Sequence, residues 1–137
     1  MEIIVLEDNS GTGKTETIDL IYDLVIKAGG KSTAKKPLGG DPRDFEDIVI
    51  NYKSKTIAFF SMGDYSNALA DGVRRFAAAN CHLMVCALSL NGSKVNANNA
   101  INLHGKPSRR IRKTIESNKG LQSATNLIDA QKIFAMI

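Results

Sequence analysis

Ile3-Ile4-Val5-Leu6 is an unbroken, largely β-branched apolar run with no polar alternation, the pattern of a strand buried on both faces of a parallel sheet. From Lys14 onward Ile18, Ile21, Leu24 and Val25 recur at helical spacing, and Gly29-Gly30 interrupt them where a C-cap belongs. The chain thus begins as strand, glycine-containing loop and helix. Gly29, Gly30, Pro37, Gly39, Gly40 and Pro42 are then interspersed with lysines, a composition that predicts a mobile surface loop over residues 29–42, able to close over a ligand. Two β-rich runs follow, Asp47 to Tyr52 and Thr56 to Phe60. The short Lys53-Ser54-Lys55 link between them predicts an antiparallel hairpin.

Ser66 is placed to cap a helix through about Ala79, in which Leu69, Val73, Phe76 and Ala77 keep a period of three to four. A further buried strand is expected from His82 to Leu88. It leads into a polar loop from Asn91 to Asn102, and Pro107-Ser108 then introduces a basic helix to about Ser117. A last helix is expected from Asn126 to the end, packing Leu127, Ile128, Ile133 and Phe134. Strands alternating with helices predict an α/β fold in three layers, its sheet mostly parallel with one antiparallel hairpin. No internal repeat is visible, and residues 1–137 read as a single domain.

Composition narrows the class without choosing a function. A hydrophobic fraction of 43% and a charged fraction of 23% exclude a disordered or fibrous chain. No apolar run approaches the roughly 18 residues needed to span a bilayer. The N-terminus lacks the basic n-region and cleavage site of a secretory signal, so a cytoplasmic location is expected. Cys81 and Cys86 share one apolar stretch at a spacing that sends strand side chains to opposite faces, which predicts two buried thiols. His82 and His104 are isolated and form no zinc-ligand spacing with the cysteines. The net charge of +4 suits a partner carrying phosphate, and a nucleotide, a nucleic acid and an acidic protein all qualify.

The chemistry is concentrated in Asp8-Asn9-Ser10-Gly11-Thr12-Gly13-Lys14-Thr15. A phosphate cradle requires flexible glycines that let successive backbone N–H groups face an anion, a helix N-terminus behind them, a cation for the terminal phosphates and a hydroxyl for magnesium. Gly11 and Gly13 supply the flexibility, Lys14 the cation, Thr15 the metal ligand, and Asn9, Ser10 and Thr12 complete the loop. The motif GxxxxGK[ST] expects glycine where this chain has Asp8, and a carboxylate there repels phosphate unless it turns away. The same residues also make an ordinary flexible turn, but the strand before and the helix after are the context the motif demands.

These residues resemble the P-loop NTPase superfamily. The resemblance implies a P-loop-type sheet, bound ATP and magnesium, and a second acidic residue at the end of a strand beside the first. Asp64, after the Thr56 to Phe60 run, is the candidate for that metal role, and it equally suits a carboxylate at the start of the helix near Ser66. The guanine-reading Asn-Lys-x-Asp motif of small GTPases is absent, and ATP is the default nucleotide. A similarity to small nucleoside and nucleotide kinases implies an arginine-rich lid, for which Arg109, Arg110, Arg112 and Lys113 are candidates, Arg109 first. A solvated basic face is the common alternative for such a run.

The leading expectation is an ATP-binding NTPase or small phosphotransferase. Lys14 and Arg109 would stabilise charge on the transferring group, Thr15 and Asp64 would hold magnesium, and Glu7 or Asp8 would polarise an attacking group. The alternative is a non-catalytic regulatory module with a degenerate loop, binding nucleotide or offering Arg74, Arg75, Lys31, Lys35 and Lys36 to nucleic acid; an aromatic fraction of 6% leaves few stacking platforms. A homo-oligomer that completes its site from a neighbour is a third expectation.

Overall fold

A computed structural model describes residues 1–39 and 41–137. β1 (Glu2–Asp8) leads through a short loop into α1 (Lys14–Lys27), followed by β2 (Lys31–Ser32), β3 (Lys36–Pro37), β4 (Phe45–Tyr52) and β5 (Lys55–Phe60). Then come α2 (Ser66–Ala78), β6 (Leu83–Ser89), α3 (Val95–His104), β7 (Ser108–Arg112), a single 3-10 turn at Lys119–Leu121 and α4 (Gln122–Phe134). The sheet runs β2-β4-β5-β6-β1-β7, with β3 also pairing β4. β5, β6, β1 and β7 are mutually parallel, while β4 opposes β5 in the predicted hairpin.

Strand alternation divides the interior in two. Ile4 and Leu6 of β1 face α1 and α4, where Ile18, Ile21, Val25 and Ile133 cover them. Ile3 and Val5 face α2 and α3, with Leu69, Val73, Phe76 and Ile101. The protein is therefore α/β, the described residues forming four helices on the two faces of a mixed seven-stranded sheet. Cys81 and Cys86 are both buried and free, and burial pushes the Cys86 thiol up to about 12. Among the described residues no helix is long and apolar enough to cross a membrane.

Five expectations need correction. The segment expected to be a mobile loop at 29–42 instead contributes β2 and β3, which pair antiparallel with the outer edge of β4; backbone pairing overrides its loop-like composition. Gly40 lies outside the described residues. Ser66 does not cap α2: Tyr65 is the cap residue, and the Ser66 hydroxyl accepts the Ala97 N–H of α3 at 2.9 Å.

The Asn91 to Asn102 stretch, expected to be a loop, contains α3. Ala97, Ala100 and Ile101 bury one face of it against α2, and that packing outweighs the weak helix propensity of its asparagines. The basic stretch after Pro107 is the parallel edge strand β7 rather than a helix, since pairing with β1 uses its backbone and lets Ile111 reach the core. α4 begins four residues earlier than Asn126, and it buries Asn126, Asp129, Ala130 and Ile133 while Leu127 and Ile128 stay exposed.

Candidate functional site

β1 and β6 are neighbours, but the helices that follow them cover opposite faces of the sheet. Such a switch point leaves a crevice at the carboxyl ends of the two strands. A cavity of about 340 Å3 opens there, with Gly11 to Glu16 on one wall and Asp44, Ser61 and Asp64 on the other. β4 is antiparallel, so its start, rather than its end, lies at this edge. Its topology thereby brings in Asp41, Arg43 and Asp44.

The loop geometry depends on its glycines. Gly11 has φ +77° and Gly13 φ +90°, the left-handed region that side chains strain to enter. A Cβ at Gly13 would also stand 2.6 Å from Oδ1 of Asn126, a buried residue of α4 whose Nδ2 donates to Glu16 at 2.9 Å. α4 therefore packs directly against the turn that starts α1. Thr17 completes the turn, its N–H and hydroxyl both donating to the Gly13 carbonyl at 3.0 and 2.8 Å.

Lys14 is only 5% exposed; its ammonium donates to the Asn9 carbonyl at 2.6 Å and to the Thr12 hydroxyl at 3.3 Å. Burial pulls its pKa down, against the attraction of Asp64 and Asp8. The Thr15 hydroxyl donates to Asp44 at 3.1 Å, and the Ser61 hydroxyl reaches the same oxygen at 3.3 Å. Burial, with Asp41 and Asp64 nearby, raises the pKa of Asp44 despite those two hydroxyls. Asn9 and Ser10 lie outside the cavity lining; the Ser10 N–H donates to Asn91 and its hydroxyl to Asp64 at 3.0 Å.

Asp64 reaches the crevice by an indirect route. β5 is not beside β1, because β6 lies between them. The segment after β5 crosses the end of β6 at Gly63, whose carbonyl accepts the Ser89 N–H at 2.9 Å. A Cβ at Gly63 would meet the Ala87 backbone at 2.9 Å, so only glycine permits this approach. The Ser89 and Ser10 hydroxyls then bond the Asp64 carboxylate, and that of Ser89 does most to hold its pKa down against burial.

Asp8 does not point into the cradle. Its carboxylate accepts the Asn9 N–H at 2.8 Å and Arg112 Nε at 3.2 Å, which together lower its pKa against the effect of burial. It also lacks the positive φ that glycine would be needed for; the non-glycine residues with that conformation are Asn51, Lys53, Ser54 and Asn80.

The arginines expected to form a lid are spread along β7 and paired with acids of β1: Arg109 with Glu2 at 3.1 Å, Arg110 with Glu7 at 3.2 Å and Arg112 with Asp8. None of the three lines the cavity, whereas Arg43 does. Lys113 is buried against Asp129 of α4 at 2.9 Å. Arg43 is hydrogen-bonded to Asp41, whose pKa it draws down to about 2.

Of the residues the motif reading picked out, Gly11 to Thr15 and Asp64 line this cavity together, and Arg43, Asp44, Ser89 and Asn126 line it without having been picked out. The Asp41-Pro42-Arg43-Asp44 cluster directly before a strand was a visible signal for two of them; Ser89 and Asn126 carry none. No family model, curated protein or solved structure matches this chain.

Proposed function

We propose that the chain is a P-loop NTPase-like protein that binds a nucleoside triphosphate, ATP by default, in the crevice between β1 and α1. The observation that carries this reading is the buried Lys14 ammonium at a cavity whose rim is the Gly11 to Thr15 loop and the N-terminus of α1. A glycine-containing loop at a helix N-terminus, with its dipole, and a desolvated cation favour a ligand that carries phosphate. Asp8, the one departure from the motif, is turned toward Arg112.

The facing wall carries Asp41, Asp44 and Asp64, which would repel a bare polyphosphate. Its donors are hard oxygens, and the Thr15 hydroxyl and Asp44 carboxylate already lie within 3.1 Å of each other. Such a set fits magnesium, which typically takes one or two carboxylates with substrate phosphates and water. Thr15, Asp44 and Asp64 would hold it, and it would neutralise charge on the β- and γ-phosphates. Lys14 grips the same phosphates, and Arg43 replaces Arg109 as the cation facing the transferring group. The activity is phosphoryl transfer or triphosphate hydrolysis by positioning and charge neutralisation.

Thermal unfolding with magnesium and ATP, GTP or inorganic tripolyphosphate tests this on wild type and Lys14→Ala. A ligand at about 100 times its Kd adds about 2.7 kcal/mol, on the order of 10 °C for a chain this size. Wild type should show that shift and Lys14→Ala should lose most of it. No shift in wild type with any of the three would end the reading.

A further inference from the structure

Charge is segregated along the strand direction. The starts of β1, β5, β6 and β7, the β4–β5 turn and the last turns of the helices lie at the amino edge of the sheet, opposite the crevice. Backbone bonds tie that edge together: the Glu2 N–H donates to the His82 carbonyl at 3.0 Å, the His82 N–H to that of Thr56 at 2.9 Å and the Lys106 N–H to that of Met1 at 2.8 Å. Lys31, Lys53, Lys55 and Lys106 stand along it from β2 to the start of β7, and Lys27 and Lys132 stand in the last turns of α1 and α4. All but Lys55 are exposed. Among the described residues none of the six forms an ion pair. Glu2 is acidic at this edge, but Arg109 pairs with it at 3.1 Å, and Asp23 lies one turn above Lys27 on α1. Asp8, Asp41, Asp44 and Asp64 gather at the other edge.

We propose that this amino edge is a docking surface for a nucleic-acid duplex, held by its phosphate backbone without readout of sequence. The sheet order β2-β4-β5-β6-β1-β7, at a strand spacing of about 4.8 Å, makes the edge about 24 Å long. Phosphates recur about every 3.4 Å along each strand of a duplex, so several of the lysines engage at once. The face consists of turns and helix ends, with no element projecting from it to enter a groove and reach base edges. It also lacks a stacking platform for single strands: Tyr52 is 6% exposed, and the strongly exposed Tyr65 lies at the opposite edge. Leu103 and Met136, exposed on separate segments, do not make the apolar face that beds into lipid. The acids of the crevice edge repel a polyanion and turn it toward the lysines. Lys35 and Arg75, which the sequence offered to nucleic acid, are instead spent on Asp19 and on Glu46 and Asp71. The surface lies across the sheet from the crevice and does not depend on the nucleotide reading.

Fluorescence anisotropy of labelled duplex DNA and duplex RNA, in separate arms without nucleotide, follows binding of the full chain from about 50 to 200 mM salt. With about four lysines engaged, log K for a bound duplex should fall against log[salt] with a slope of about −4, and a scrambled sequence should bind equally. Lys53→Gln/Lys106→Gln should lower affinity more than about tenfold at low salt and make the slope shallower by about 2, with Lys53→Arg/Lys106→Arg keeping both. Lys36→Gln/Lys119→Gln removes the same charge near the carboxyl edge, where β3 meets the start of β4 and α4 begins, and should change affinity less than about threefold. Thermal unfolding of each variant confirms that the fold is kept. The surface would be overturned by no binding of either duplex at low salt, by equal losses in the two glutamine pairs, or by tighter binding of a single strand than of its duplex. Capture by phosphatidylserine vesicles without binding of a duplex would overturn it in favour of a membrane.

Discussion

The two loop glycines provide an internal comparison. Gly11 and Gly13 both have positive φ, +77° and +90°, but an added Cβ meets nothing within 4 Å at Gly11 and meets Asn126 at 2.6 Å at Gly13. Alanine at either position incurs left-handed backbone strain of about 1–2 kcal/mol, offset equally in both by the reduced freedom of the unfolded chain. At Gly13 the buried Asn126 carboxamide must also move, breaking its 2.9 Å hydrogen bond to Glu16, which adds about 1–2 kcal/mol. Urea unfolding should therefore show Gly13→Ala less stable than Gly11→Ala by that increment. In Gly13→Ala/Asn126→Ala the clash partner is gone, and the double variant should be more stable than the sum of its singles by about 1 kcal/mol or more. Equal losses at the two glycines, or additivity within about 0.5 kcal/mol, would refute the view that α4 constrains the Gly11 to Thr15 loop.

Two further outcomes follow from ion pairs that the fold creates. The folded-state pKa of Asp8 lies below its ordinary value of 3.8, so its ionised form contributes stability that is fully present above that value and lost as pH falls through the folded pKa. Asp8→Asn should accordingly be less stable than wild type at pH 7 and equal to it at the acid end of a pH series of urea melts. Its affinity for magnesium-ATP by calorimetry should stay within about threefold of wild type; a gain above about tenfold would mean that the carboxylate does face the phosphates. Lys113 and Asp129 form a pair whose side chains are 1% and 7% exposed. There burial alone would raise the Asp129 pKa, but the bonds from Lys113 and Thr114 outweigh it. Lys113→Met leaves that carboxylate with Thr114 alone and should cost about 3 kcal/mol in a urea melt, and a loss under about 1 kcal/mol would contradict the assigned pair.

Legibility in the sequence followed the range of the interactions. The β1, loop, α1 sequence and the β4–β5 hairpin were readable because each is dictated by neighbours a few residues away: apolar periodicity, glycines and a short connection. β7 was misread as a helix because Ser108-Arg109-Arg110-Ile111-Arg112 has no strong local preference, and only the free edge of β1, some hundred positions away in the chain, recruits it as a strand. α3 was missed because its asparagines resemble a loop until α2 offers a surface for Ala97 and Ile101. Arg109 illustrates the same limit at the level of the site. Its residue type suited a phosphate contact, but strand pairing set it beside Glu2.

What the sequence determined by itself is the glycine loop between β1 and α1. Gly11, Gly13, Lys14 and Thr15 are contiguous, so their relation to one another is a local backbone property that survives any arrangement of the rest of the chain. The tertiary structure alone decided what faces that loop. Asp44 arrives because β4 runs antiparallel and starts at the carboxyl edge of the sheet. Asp64 arrives over β6 because Gly63 permits contact with its backbone, and Asn126 is brought by a helix more than a hundred residues away. These relations depend on strand direction and on helix packing across the sheet, which no spacing along the chain encodes.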